Sequence, residues 1–140
     1  MTTRHTRNDL GGATVELVLL APLVVLVIGF VLFAGRLGHA AADVRHAAAT
    51  AARAASLTDT PAAATAAAEQ QAMANLADGR PTCAAPAVTV DADVTPGGRV
   101  TVTVACPVPL GDLAPIGLPG TKTLTSRAVE PVDVYRSTTP

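Results

Sequence analysis

Cys83 and Cys106, Glu16, the Asp91–Asp93 pair and the His39–His46 pair are the residues of this chain whose types and spacing could do chemistry. Cys83 precedes one valine–threonine alternation and Cys106 follows the next. In a hairpin that turns at about Pro96–Gly98 both fall near the open end, where a disulfide can form. Closing a loop of about 22 residues adds roughly 3 kcal/mol in the chain-entropy description. Such a bond belongs outside the cytoplasm. The alternative is two unpaired thiols, and no third or fourth ligand lies near enough in sequence for a zinc-type site.

His39 and His46 stand seven apart and could share a helix face, but two histidines on an exposed helix are more often solvated than metal-bound. Asp91 and Asp93 share one face of a strand, where solvation of that face is the expected role. There is no P-loop, G-x-S-x-G, H-E-x-x-H or C-x-x-C. The chain is expected to be no enzyme and to carry no cofactor or metal.

Glu16 poses a different problem. It is the only acid between Asp9 and Asp43, and it stands one residue before an apolar run. From Leu17 to Gly35 there is no charge, a length that spans a bilayer core as one helix. An acid deep in a bilayer costs about 2.5–3.5 kcal/mol on insertion scales. At the mouth the cost is smaller, and a helix N-terminus favours negative charge.

Composition narrows the class further. Of 140 residues 49% are hydrophobic but only 2% aromatic, with no Trp, and much of the apolar share is alanine. Alanine buries little area, so the part outside the membrane can build only a thin core. Net charge is -1, and no basic patch with interleaved aromatics is present, which excludes nucleic-acid binding.

The elements that position these residues read as an α+β chain. Residues 12–35 form the transmembrane helix, with Pro22 and Gly29 tolerated inside it. Residues 36–58 continue the helix, and Leu37, Ala41, Val44, Ala48, Ala51 and Ala55 make a narrow small-residue stripe open to close approach by another helix. Thr60 is the expected N-cap and Pro61 the first residue of a second helix over 61–78, capped by Gly79 with Pro81 beyond. Residues 83–136 form a small β domain. Two strands of alternating valine, about 88–94 and 100–104, are joined by Thr95–Arg99, with Pro96-Gly97 suited to a type II turn. Residues 106–120 read as an irregular loop. A third strand lies within 121–134, held to an edge by Pro131, and the last residues, from Ser137, are expected to fray. The charge asymmetry around the span does not orient it, since Arg4 and Arg7 precede it while Arg36, Arg45 and Arg53 follow. A signal-peptide reading, with cleavage after Ala42, is the rival to an anchor.

The stretch "GGATVELVLLAP" (Gly11–Pro22) resembles the start of type IV prepilin-like proteins, and more closely the TadE-like family of the tight-adherence pilus system. The tail, with its Val/Thr strands, "CPVPL" and "SRAVEPVDVYR", is similar too. The resemblance implies a pseudopilin, a single-pass protein of a bacterial inner membrane that assists assembly or secretion of a Flp-type pilus. It implies a leader, residues 1–11, cut by a prepilin-type peptidase between Gly11 and Gly12, which makes Glu16 the fifth mature residue. It further implies an N-terminus in the cytoplasm, a C-terminal domain outside, and contacts with lipid and with other pilin subunits through the N-terminal helix. Glu16 would then set subunit register by pairing with a neighbour's freed amine; the alternative is that it caps the helix at the interface. The sequence departs from the family in having Leu10, not a basic residue, before the glycine, and Gly12 permits a cut one residue later. A plain membrane anchor with an external interaction domain is the competing reading.

Overall fold

The run of alanine, leucine and valine from Asp9 onward contains one helix breaker, Pro22, and the chain passes through it without interruption. A computed structural model describes residues 9–77, 83–113 and 119–135, apart from the side chains of residues 9–15 and 112. Its first element, α1 (Asp9–Ser56), is a single helix of 48 residues, about 72 Å long at 1.5 Å per residue. From Leu17 to Leu32 its large apolar side chains point outward on every side and all are exposed. From Phe33 the apolar residues retreat to one face. Ala40, Val44, Ala47, Ala48, Ala51, Ala52 and Ala55 are buried there. This change from all-round exposure to one-sided burial marks where protein takes over from another solvent.

The second helix, α2 (Pro61–Ala77), starts where its cap predicts. The Ala63 N–H donates to Thr60 Oγ1 at 3.2 Å and the Ala64 N–H to the Thr60 carbonyl at 2.9 Å. Ala64, Ala68, Ala72 and Leu76 recur every four residues and are buried. They meet the alanine face of α1, so two helices of small side chains pack closely. Asn75 Nδ2 donates to Thr50 Oγ1 at 2.7 Å and fastens one helix to the other. The expected end of α2 at Asp78, with Gly79 and Pro81, lies outside the described residues.

Three strands complete the head, an antiparallel sheet ordered β1-β2-β3: β1 (Ala87–Ala92), β2 (Arg99–Pro109) and β3 (Thr121–Pro131). Val100, Val102, Val104, Cys106 and Val108 alternate along β2 and all face the helices, at most 1% exposed. They supply the bulk that the alanines lack. The architecture is therefore the α+β arrangement expected, with the sheet packed on the helices.

The β1–β2 turn also follows its sequence. The Gly98 N–H donates to the Thr95 carbonyl at 2.8 Å, and Gly97 has φ +78°, the type II geometry with glycine at its third position. Asp93 Oδ1 accepts from Thr95 Oγ1 at 2.6 Å and from the Thr95 N–H at 3.2 Å, which closes β1 two residues before the expected Val94. Those bonds, the hydroxyl one foremost, hold the Asp93 carboxyl below its ordinary range. Gly98 is needed for a different reason. A Cβ there would lie 2.5 Å from the Asp93 carbonyl oxygen, a backbone atom that cannot step aside. Gly98→Ala is expected to cost about 1–3 kcal/mol, read as a lower thermal midpoint of the head with its disulfide intact.

One expectation fails. Residues 106–120 were expected as irregular loop, yet β2 runs on to Pro109 and Leu110–Leu113 form a helical turn, α3. Residues 106–109 pair with Leu124–Thr121 of β3. The prolines are tolerated because of where they point. The Pro107 carbonyl accepts from the Ala84 N–H at 3.1 Å, on the β1 side, so its missing N–H would also face that side. β1 begins opposite Ala105, and past that point there is no ladder for Pro107 or Pro109 to break. Residues 114–118 of this segment lie outside the described residues, as does the tail from 136. Pro131 stands at the end of β3, which is an edge strand as expected.

Candidate functional site

The face with chemistry to offer is the outward surface of α1 from Glu16 to Gly35. The 19 residues from Leu17 to Gly35 rise about 28 Å as a helix, close to a hydrocarbon core of about 30 Å. Leu17, Leu19, Leu26 and Phe30 are each 70% or more exposed. So much apolar surface in contact with water is not stable; among the described residues this is the one helix long and apolar enough to cross a membrane. Pro22 removes one backbone donor near the entrance of the span. At the far end Arg36 is the first charge, and Phe33 and Leu37 already pack against the core of the head. The head therefore sits directly at the end of the span, with no linker between them.

Glu16 is exposed on the helix at the mouth of this run. It is not a cap: α1 starts at Asp9, nearly two turns earlier. The positive end of the intact helix's dipole therefore lies upstream of Glu16, and its influence falls off within the first turn. Gly11 and Gly12 lie inside α1, while most of the expected leader, residues 1–8, lies outside the described residues.

The small-residue stripe is placed differently from its expected use. Leu37 and Ala41 are half-buried, and Val44, Ala48, Ala51 and Ala55 are buried, by α2 and the sheet of the same chain. It is not free to receive a neighbour's helix. Sequence reasoning also missed Ala40, Ala47 and Ala52, which widen the face; their i+7/i+8 spacing was the available signal.

Cys83 and Cys106 form the disulfide, with Cα atoms 5.3 Å apart. It ties the segment entering β1 to the C-terminal part of β2, beside the Ala84–Pro107 hydrogen bond. His39 and His46 are both exposed on α1, and no group of three His, Cys, Asp or Glu able to hold a metal occurs among the described residues. Asp91 lies on β1, whereas Asp93 belongs to the turn.

No curated protein and no solved structure matches this chain. A family model does match, and the match falls on α1. It covers residues 11–53, from the paired glycines through Glu16 and the apolar run into the buried alanine face, and it carries across Ala42 without a break. The family is described as TadE-like protein, the one the sequence resembles, and this match together with the lipid-length exposed helix fits a membrane-anchored, pilus-related protein.

Proposed function

We propose that this chain is a TadE-like pseudopilin of a Flp-type pilus system, a structural protein with no catalytic role. Its N-terminus lies in the cytoplasm and its disulfide-closed head on the outer side of the inner membrane. The observation that carries the reading is the combination on one helix: a lone acid, a lipid-length exposed run, and direct merging into a folded head within the TadE-like match. The disulfide supports the outward placement of the head.

Processing gives Glu16 its role. A prepilin-type peptidase cuts between Gly11 and Gly12, which moves the helix start to within four residues of Glu16 and frees an α-amine there. Both the amine and the new helix dipole are positive. In lipid, the carboxylate is best placed when paired with the amine of a neighbouring pilin or pseudopilin subunit, and the pair fixes axial register. A cut after Gly12 would make Glu16 the fourth mature residue and mis-set that register. Because the alanine face is already covered within the chain, helix-to-helix contacts with other subunits fall to the exposed half of α1 between Glu16 and Gly35.

Intact-mass measurement of the native protein is expected to find a start at Gly12; a start at Asp43, after Ala42, overturns the anchored reading. Glu16→Ala is expected to leave cleavage unchanged and to reduce recovery of the protein with other pilus subunits at least about tenfold, as loss of one partner of a desolvated charge pair does. Unchanged recovery leaves the chain as a plain anchor for its head.

A further inference from the structure

Among the described residues the sheet has two open edges, and their unpaired backbone groups can be assigned. Odd-numbered β2 residues turn theirs toward β1: the Arg99 carbonyl accepts from the Asp93 N–H at 3.1 Å, as Pro107 does from Ala84. Even-numbered positions turn toward β3, as the Gly98 carbonyl does in accepting from the Val132 N–H at 2.9 Å. Through the observed register, β3 directs the groups of Thr123, Thr125, Arg127 and Val129 off the sheet. β1 directs those of Val88, Val90 and Ala92 off the opposite side.

The two edges complement each other in three ways. Both are antiparallel to β2 and so parallel to one another. Their free windows are similar in length, three outward positions on β1 and four on β3, with Pro86 just before β1 and Lys122 and Pro131 at the ends of β3. Their charges are opposite. On the face of the sheet turned away from the helices, Asp91 is exposed on the β1 edge and Arg127 on the β3 edge, and neither has an ion-pair partner among the described residues.

We propose that the β3 edge of one copy pairs in parallel with the β1 edge of the next, in the register that sets Arg127 beside Asp91 and Thr125 beside Thr89. In that register the groups of Thr125 reach Val88 and Val90, and those of Arg127 reach Val90 and Ala92, which is the slanted pattern of a parallel ladder. The contact is heterologous, so it propagates from copy to copy rather than closing as a dimer. Pairing like edges instead would set like charges along one seam, which is unfavourable. The proposal requires only that copies share a membrane, and it does not depend on Glu16 or on leader cleavage.

The test uses the full-length chain in its own membranes, treated with a short bismaleimide. Thr89→Cys/Thr125→Cys is expected to cross-link into a ladder of dimers, trimers and higher species, while each single variant yields no more than the native chain. Arg127→Glu in that background should lower cross-linked yield at least about fivefold, and adding Asp91→Lys should restore it. Thermal midpoints of the heads show whether each variant is folded; all four positions are exposed and should leave them unchanged. Absence of a ladder in folded protein overturns the proposal. So does a dimer from Thr125→Cys alone, which would show a β3–β3 contact instead.

Discussion

Replacing both Cys83 and Cys106 with alanine is expected to remove about 3 kcal/mol from the head and to lower its thermal midpoint by about 12–24 °C, at about 4–8 °C per kcal/mol for a domain of this size. Alanine is the substitute of choice because Cys106 is 1% exposed, and a serine hydroxyl there would be buried without a partner. The effect is large because little else offsets it. The buried apolar residues of both helices are alanine but for Val44 and Leu76, and an alanine contributes a fraction of what a leucine does. Most of the remaining bulk comes from the valines of β2, the strand that the bond holds at Cys106, with Leu113 and Val132 beside them. Reduction of the native chain should reproduce the variant. A midpoint that does not move on either treatment would mean that the strands and alanine faces suffice alone.

The second large effect concerns the span. Fourteen Leu, Val, Ile and Phe residues lie between Leu17 and Gly35, each favouring insertion by about 0.3–0.6 kcal/mol, so the run is worth about 4–8 kcal/mol. One arginine near its centre costs about 2.5–3.5 kcal/mol, less than the run supplies. Ile28→Arg is therefore expected to stay in the carbonate-resistant membrane fraction. Val24→Arg/Ile28→Arg costs about 5–7 kcal/mol, cancels the balance, and should leave that fraction. Thiol alkylation gives a second readout. A chain that fails to insert keeps its head in a reducing compartment, so Cys83 and Cys106 become alkylated. Retention of the double variant in the membrane with an oxidised head would show that something other than this run anchors the protein.

Most of the local structure was legible from residue types. The Thr60-Pro61 start of α2, the Pro96-Gly97 turn and the valine alternation of β1 and β2 each depend on a few neighbours in sequence, and each formed as those neighbours predict. The cysteine pair was legible for the same reason, since a hairpin of known turn position places its own open end. The β2 extension through Pro107 and Pro109 was not. Whether a proline breaks a strand depends on which side its missing N–H faces and whether a partner stands there, and only the end of β1 at Ala87 settles that.

For the site, sequence alone determined the lipid-length run from Leu17 to Gly35, the lone acid at its mouth and the TadE-like character of Gly11–Pro22, because these are properties of consecutive residues. Tertiary structure decided how the rest of the helix is used. A stripe of alanines at helical spacing is equally suited to a neighbour's helix or to the chain's own, and its periodicity cannot say which. The return of α2 and the sheet over Ala40–Ala55 covers it from within. Among the described residues, what remains for other molecules is the apolar half of α1 and the two open edges of the sheet.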